Sequence, residues 1–216
     1  MLLALLLAAA PVEVVGFSPD DRYVAWIEHG TGEGSGHPWA RLHVTEVARS
    51  TDAVPPVEVT LQSGKATDTE RAAVNQARAA ADAARTKLKI KSWEPARAVE
   101  HDASGELSDK DGAPLGTVQV EQRPAKGKGP ACEEPFQPAL LKLTISLMGD
   151  DRPRKLGEDK SVPKDRPCVT DCELGALFAH GKAVLAFSKC GVKGFEGAAS
   201  KHTAYTATLP HGLFGD

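Results

Sequence analysis

Alternating apolar and polar residues along the first quarter of the chain predict a series of short β-strands. The first, "VEVVGF" (12–17), ends at a turn rich in proline and aspartate, residue types that favour turns. The next, "RYVAWIE" (22–28), has apolar residues on both faces, which predicts a strand buried on both sides or nearly so. A glycine-rich loop follows, and then two more strand patterns, "ARLHVTEVA" (40–48) and "VEVTL" (57–61).

One long helix is predicted from about Asp68 to Lys89. The stretch "TDTE" places Thr67 at the N-cap and Glu70 three residues later, which is a capping box. Apolar residues then recur every three or four positions in one narrow stripe: Val74, Ala77, Ala81, Ala84 and Leu88. Because this stripe is mostly alanine, the helix can lie close to its partner, and we expect it to pack across a sheet.

The second half of the chain returns to strand patterns. They are "ARAVEHD" (96–102), "GTVQVEQ" (116–122), "ALLKLTISLMG" (139–149), the hairpin 172–190 with His180 and Gly181 at its tip, and "HTAYTATL" (202–209). The charged, proline-punctuated segment 150–167 is interpreted as an exposed loop. The chain thus has about ten strands and one helix, mainly antiparallel because the connections are short.

These elements predict a mainly antiparallel β fold with one helix, of the α+β class. A β-sandwich and a curled sheet with the helix packed on one face fit equally well. The stretch "GFSPDDRYVAWIEHG" (16–30) has the turn and strand of a β-propeller blade, with a weak echo in "AHGKAVLAFSK" (179–189). A propeller repeats a unit of roughly 40 residues at least four times, so one clear copy does not make a complete propeller.

Composition indicates how large the core can be and which class of binding partner is excluded. Of 216 residues, 41% are hydrophobic but only 5% aromatic, so one modest core is expected, in a single β-rich domain over residues 11–216. The net charge of −3 argues against nucleic-acid binding, which normally shows as a strongly basic domain or stripe. Lys126 and Lys128 are the nearest approach to a basic cluster, and their glycine and proline neighbours indicate a loop.

The N-terminal run of apolar residues resembles a secretory signal. Residues 1–10 end in three alanines, the small-residue pattern of a signal-peptidase site, although no Lys or Arg precedes the run and Pro11 follows it. The run is far shorter than the roughly 20 apolar residues that span a bilayer, so no transmembrane span is predicted. We expect a periplasmic or secreted protein, and the alternative is a buried N-terminal segment.

The cysteines support export independently. Cys132, Cys168, Cys172 and Cys190 form an even set without the CxxC spacing of zinc ribbons or redox sites. In an exported protein they predict two disulfides, and in a cytosolic one they would be reduced thiols used as small hydrophobes. Sequence does not choose among the three possible pairings, but Cys172 and Cys190 flank a hairpin, which favours that pair and leaves Cys132 for Cys168.

Candidate chemical groups are few, and no GxSxG, HExxH or P-loop motif is present. His29, His37 and His43 surround the glycine-rich loop, and a hairpin could bring two of them together with Glu28 or Glu33. Imidazole and carboxylate ligands would suit zinc or copper. No spacing is diagnostic, so we interpret them as solvated histidines and weak binding candidates, and we predict no metal and no cofactor.

Two other acidic segments contain candidate groups for chemistry. "SDKDGAP" (108–114) holds half of a calcium-loop pattern but lacks the terminal glutamate, so a tight turn is the better interpretation. Glu196 lies between glycines in "GFEG" (194–197) and is a weak candidate for a catalytic carboxylate. A general acid/base mechanism needs a partner group that sequence does not supply, so a glycine-set bend is favoured there.

Several motifs together resemble an uncharacterised family of bacterial predicted secreted proteins, a domain of unknown function. They are "GFSPDDRYVAWIEHG", "GSGHPWARLHV" (34–44), the alanine-rich helix and the late "GFEG", so the resemblance covers nearly the whole chain. It implies export and no assigned activity. Asp21 stands where glycine is usual in the turn, and Thr45-Glu46 stands where an aspartate usually ends the second strand.

Two classes of function follow. The favoured one is a non-enzymatic exported module that binds an unknown envelope protein or polymer through its sheet or loops. The alternative is a small hydrolase acting on envelope polymers, with Glu196 or the region of His29 and His37 in its site. An enzyme is thus the less favoured class.

Overall fold

The fold is described from a computed structural model. It covers residues 12–32, 34–62, 69–125, 131–150, 152–164, 166–194 and 197–214. Several predictions from the sequence fall on residues outside these ranges: the signal-like segment 1–10, Glu33, Thr67, Lys126, Lys128 and Glu196. The described residues form two antiparallel sheets and one helix, which confirms the predicted mainly antiparallel β fold with one helix.

The first sheet has five strands among the described residues, in the order β1-β2-β3-β4, with β5 also paired to β3. The strands are β1 (Val12–Phe17), β2 (Tyr23–Thr31), β3 (Pro38–Glu46), β4 (Thr51–Asp52) and β5 (Val57–Thr60). Trp26 pairs with His43 and Glu28 pairs with Arg41 across β2 and β3. Because side chains alternate along a strand, these four residues lie on one face of the sheet.

The helix α1 (Glu70–Lys87) covers the opposite face of this sheet. Its buried stripe packs against apolar side chains of β2 and β3, as predicted: Ala73, Val74, Ala77, Ala81 and Ala84 meet Ala25, Ile27, Leu42 and Val44. The N-cap is Thr69, two residues later than predicted, and its hydroxyl accepts a hydrogen bond of 3.2 Å from the backbone N–H of Ala72. Thr69 has the extended backbone that an N-cap requires.

The second sheet has eight strands among the described residues, in the order β10-β9-β8-β7-β6-β11-β12-β13. They are β6 (Arg97–His101), β7 (Glu106–Ser108), β8 (Pro114–Pro124), β9 (Ala139–Leu147), β10 (Arg154–Glu158), β11 (Val169–His180), β12 (Ala183–Gly194) and β13 (Gly197–Thr208). The sheet curls until its edge strands meet, with Tyr205 packed against the backbone of Gly157. It is nearly closed like a barrel, and the chain is not a complete propeller.

The interpretation of residues 150–167 as an exposed loop is wrong over much of that segment. It contains β10, and Arg166 near its end is fully buried. The guanidinium of Arg166 donates to the carboxylate of Asp159, to the hydroxyl of Thr203 at 2.9 Å and to the hydroxyl of Tyr205 at 3.1 Å. The charges of the segment therefore pair with one another and with β13, and they do not all face water.

The two sheets meet through a separate apolar cluster. It joins β1, β2 and the β3–β4 turn to β12, and its buried members are Phe17, Val24, Trp26, Val47, Ala183, Leu185 and Phe187. Phe187 is fully buried there, and its ring meets the Trp26 indole edge to face at 5.1 Å between centroids. The junction of the sheets is therefore held by packed side chains.

Asp21 adds a polar link between the sheets. Its backbone has a φ of +57°, a left-handed conformation in which glycine is favoured and aspartate is tolerated. Its carboxylate lies 2.8 Å from the Nδ1 atom of His180 and accepts a 2.8 Å hydrogen bond from the backbone N–H of Lys182. Asp21 thus connects the first turn to the β11–β12 hairpin.

Two disulfides join the four cysteines, in the pairing that the hairpin favours. Cys132 is bonded to Cys168, with 5.7 Å between Cα atoms, and Cys172 is bonded to Cys190, with 4.1 Å between Cα atoms. Both bonds hold the start of β11, one to the segment before β9 and the other to the neighbouring strand β12.

Candidate functional site

Alternation along β2 separates two of the candidate histidines. His29 lies on the helix side of the first sheet, with Nδ1 at 3.4 Å from the Glu70 carboxylate and Nε2 at 3.6 Å from that of Glu13. His43 lies on the other face, beside Glu28. The hairpin therefore does not bring His29 and His43 together. His43 lies beside the Glu28 carboxylate on the face of the sheet opposite the helix.

Glu28 is the centre of a cluster of charges contributed by both sheets. It is only 6% exposed, and its carboxylate lies 3.1 Å from Arg41 Nη1, 3.5 Å from His43 Nε2 and 3.7 Å from Lys201 Nζ on β13. Burial raises the pKa of Glu28, but the hydrogen bond with His43 and the charges of Lys201, His43 and Arg41 outweigh it and hold that pKa below its ordinary value. The buried carboxyl is therefore ionised and shared among Arg41, Lys201 and, when it is protonated, His43.

His43 lies between two carboxylates. Its Nδ1 atom is 3.2 Å from Asp52 on β4, its Nε2 atom faces Glu28, and its ring stacks on the indole of Trp26 at 4.1 Å between centroids. Burial lowers the pKa of His43, but the hydrogen bonds and charges of Asp52 and Glu28 outweigh it, so the pKa is raised. Trp26 is itself fixed by a 3.1 Å hydrogen bond from its Nε1 to the hydroxyl of Thr45.

The raised pKa of His43 makes stability depend on pH. Its contribution is fully present below the unfolded value of 6.5 and is lost as pH rises through the higher folded value. We expect His43→Gln to cost about 1–2 kcal/mol of unfolding free energy near pH 6, the worth of a charged hydrogen bond, and progressively less above pH 7. Urea denaturation of both proteins from pH 5.5 to 9.5 measures the difference.

Asp52→Asn is the matched control for that pH dependence. It removes one of the two carboxylates that stabilise the charged ring, so the variant should lose part of the same dependence while keeping the imidazole. Unfolding free energies of wild type and His43→Gln that run parallel across the whole range would contradict an imidazolium held by Glu28 and Asp52.

These residues line two adjoining hollows between the sheets, which we call the inter-sheet cleft. One, of about 340 Å³, is bordered by His43, Asp52 and, from β13, His202. The other, of about 350 Å³, is bordered by His37 and Trp39 among others, and both share Glu28, Arg41 and Lys201. The structure thus places His37 and His43 on either side of Glu28.

A larger cleft of about 840 Å³ opens between β8 and β11. Among the described residues, its lining includes His101, Lys142, Glu173 and Cys172 but no Phe, Tyr or Trp side chain. Ligand sites in proteins combine aromatic side chains with a few placed polar groups, and the inter-sheet cleft has both. We therefore treat the inter-sheet cleft as the candidate site.

The calcium-loop motif at residues 108–114 does not join this site. Asp109 accepts hydrogen bonds of 2.9 and 2.8 Å from the backbone N–H groups of Asp111 and Ala113, as expected for a tight turn. Across the described ranges, no group of three or more His, Cys, Asp or Glu side chains is placed to hold a metal ion. The donors of the inter-sheet cleft are engaged with one another as ion pairs.

The comparison with protein families covers this whole site. A family model described as "Predicted secreted protein (DUF2259)" matches residues 25–207, a range that includes the Glu28 cluster, the helix and both disulfides. The chain belongs to this family. No curated protein and no solved structure gives a significant match.

As a DUF2259 member, the protein belongs to a family described as secreted, and its structure agrees with that description. Disulfides form and persist outside the cytoplasm, and both bonds of this chain lie within the matched range. In the part of the chain that the structure describes, no helix is both long enough and apolar enough to cross a membrane.

The sequence pattern of this DUF2259 chain missed several residues of the cleft. Arg41 could have been found, because the registers of β2 and β3 put Glu28, Arg41 and His43 on one face. Lys201 could not, because it reaches Glu28 only through the packing of β13 against the first sheet. The sequence does not identify Trp39 as a site residue, because a single tryptophan beside a glycine loop gives no indication of whether it is buried.

Proposed function

We propose that this exported protein is a binding module and that the inter-sheet cleft takes an extracytoplasmic ligand. The observation that carries the proposal is the buried Glu28 carboxylate with its three cations, drawn from both sheets to one cleft. Removing charges from water costs several kcal/mol per ion, and apolar residues of similar volume commonly give equal or better stability. Charged groups kept in a cleft are therefore typical of functional sites.

The two sheets are already joined by other contacts, so the junction does not require these charges. The apolar cluster around Phe187 and Trp26 already packs the sheets against each other, and Asp21 links them a second time. The Glu28 cluster lies beside this packed junction, at the walls of a hollow that solvent reaches. Its location favours contact with a ligand.

The hydrolase alternative has less support from the cleft. A general acid that works near neutral pH needs a carboxyl with a raised pKa, and the pKa of Glu28 is lowered. His29, one of the two histidines named for that alternative, faces the helix. Glu196, its other candidate, lies outside the described residues.

The proposal is tested with two matched lysine variants. Lys201→Ala removes a cation of the cleft, and Lys193→Ala removes a cation on β12 that pairs with Glu133 away from the cleft. Immobilised wild type and variants are exposed to extracellular and envelope extract of the source organism, and bound material is separated into saccharide, peptide and small-molecule fractions. Loss of one charged hydrogen bond is worth about 1.5 kcal/mol, so we expect about tenfold weaker retention by Lys201→Ala.

Lys193→Ala should retain the same material as wild type. Equal retention by all three proteins would mean that the cleft is not the binding site, and no retention above an unrelated protein would remove the binding proposal. Thermal melting of each variant, expected within a few degrees of wild type, separates lost binding from lost folding.

A further inference from the structure

Trp39 differs from the other tryptophans in its surroundings. Trp26 and Trp93 pack with the described apolar clusters, whereas Trp39 is half-buried, belongs to none of these clusters and borders the hollow of about 350 Å³. Three atoms of its indole, Cζ2, Nε1 and Cε2, lie 3.4–3.5 Å from where a side chain on Gly30 would begin. The indole therefore packs over Gly30, and Trp39 also lines the hollow of about 350 Å³.

Two rows of paired residues surround this ring on the face of the first sheet. Thr60, Trp39 and Gly30 pair across β5, β3 and β2 in one row. Glu58, Arg41 and Glu28 pair in the next row, with Arg41 Nη2 at 2.8 Å from Glu58 and Nη1 at 3.1 Å from Glu28. We call these six residues the Trp39 patch; it places an aromatic plane beside a row of carboxylate, guanidinium and carboxylate.

The charges around the patch balance. Glu28 and Glu58 carry two negative charges, and Arg41 and Lys201 carry two positive ones, all bordering the same hollow. A ligand with a large net charge of either sign would meet repulsion as well as attraction there. A neutral ligand with both donors and acceptors can use the carboxylate oxygens and the guanidinium N–H groups together.

A pyranose ring has this chemistry. Its C–H groups form an apolar face that suits the exposed plane of an indole, while its hydroxyls donate and accept around the rim. The hollow of about 350 Å³ is near the lower end of the range for small-ligand sites. Its shallow position between two sheets also suits one or two rings of a longer chain.

We propose that the Trp39 patch binds a ring of a neutral saccharide, with the ring stacked on Trp39 and its hydroxyls bonded to Arg41, Glu58 and Glu28. The proposal rests on the proposed function, that the inter-sheet cleft binds an extracytoplasmic ligand. It adds the chemical class of that ligand. Trp39 is then the residue on which the saccharide stacks, and Lys201 borders the same ring from the second sheet.

The test uses the full chain and defined neutral probes: maltotetraose, cellotetraose, mannotetraose and tetra-N-acetylchitotetraose. Binding is measured by saturation-transfer NMR and by titration of tryptophan fluorescence. At least one probe should bind with a dissociation constant on the order of 1 mM or below, the scale expected for one stacked ring. Trp39→Ala should weaken that binding at least about tenfold, and Trp39→Phe, which keeps an aromatic face, should weaken it less.

Trp93→Phe is the matched control, because Trp93 packs under the helix in the core of the first sheet. The fluorescence change on binding should persist in Trp93→Phe and disappear in Trp39→Phe. Melting curves of both Trp39 variants should stay within a few degrees of wild type, since the ring is half-buried and belongs to no described apolar cluster.

The outcomes distinguish the saccharide proposal from the proposal that the inter-sheet cleft binds a ligand. The saccharide assignment is overturned if no probe binds, if Trp39→Ala binds as well as wild type, or if polygalacturonate binds more tightly than every neutral probe. It is also overturned if the material retained through Lys201 proves to be peptide. In each of these cases the proposed binding function is still supported if Lys201→Ala retains less of the extract than wild type. Both proposals are overturned only if Lys201→Ala also retains the same material as wild type.

Discussion

Replacing Arg166 with alanine should lower the free energy of unfolding by about 3–5 kcal/mol, the usual cost of breaking a buried ion pair on one side. Arg166 is fully buried, and the substitution leaves the carboxylate of Asp159, itself 8% exposed, without its cation. The hydroxyls of Tyr205 and Thr203 lose a donor at the same time. Urea denaturation at pH 7 measures the change, and we expect β10 to separate from β13 in the variant.

The control for Arg166→Ala is Arg152→Ala, which removes an exposed arginine from the same segment and should cost no more than about 0.5 kcal/mol. The double variant Asp159→Asn, Arg166→Met removes both charges and should be milder than Arg166→Ala alone, because no unpaired charge stays buried. If the free energy of unfolding of Arg166→Ala lies within about 1 kcal/mol of the wild-type value, the ion pair does not hold this segment in place.

Phe187→Ala should destabilise the junction of the two sheets by about 3–5 kcal/mol, the range for emptying a buried phenylalanine site. The Phe187 ring packs edge to face against Trp26 and Phe178, so its removal leaves a cavity beside Trp26. Because Trp26 also supports His43, we expect the pH dependence of stability that His43 confers to weaken in this variant.

Denaturation followed by tryptophan fluorescence and by far-ultraviolet circular dichroism measures the effect. Phe187→Leu, which keeps most of the buried volume, should cost clearly less, and Met148→Ala, at a side chain that is 67% exposed, should cost almost nothing. A change in tryptophan fluorescence at a lower denaturant concentration than the change in circular dichroism would mean that the two sheets separate before they unfold. An effect of Phe187→Ala no larger than that of Met148→Ala would refute the role of this ring at the junction.

Local patterns predicted most of the elements of this fold. Period-two alternation located the longer strands of both sheets, since these have at least one face that packs in a core, but it missed the short strands β4, β7 and β10. The alanine stripe predicted a helix packed closely on a sheet, and α1 buries five residues of that kind against β2 and β3. The capping-box pattern pointed to Thr67, but the N-cap is Thr69, which has no glutamate three residues later and caps the helix through its hydroxyl alone, by accepting from the backbone N–H of Ala72.

What depends on contacts between distant segments was not predictable from the pattern. Charged and proline-rich composition indicated an exposed loop for 150–167, yet Arg166 is buried, with its guanidinium bound to Asp159, Thr203 and Tyr205. The candidate site shows the same division. Glu28 and His43 were named from the sequence, whereas Lys201 belongs to the site only because the eight-stranded sheet packs against the first one.

The connectivity of the two disulfides bears on how the exported chain matures. Cys132 pairs with the next cysteine along the chain, Cys168, and Cys172 pairs with the next after that, Cys190, so the two covalent loops are neither nested nor interleaved. In a chain that crosses a membrane N-terminus first, each pair is complete before the following cysteine emerges. An oxidase that joins thiols in the order of their appearance therefore produces the native bonds directly, and no thiol–disulfide exchange is needed to correct them.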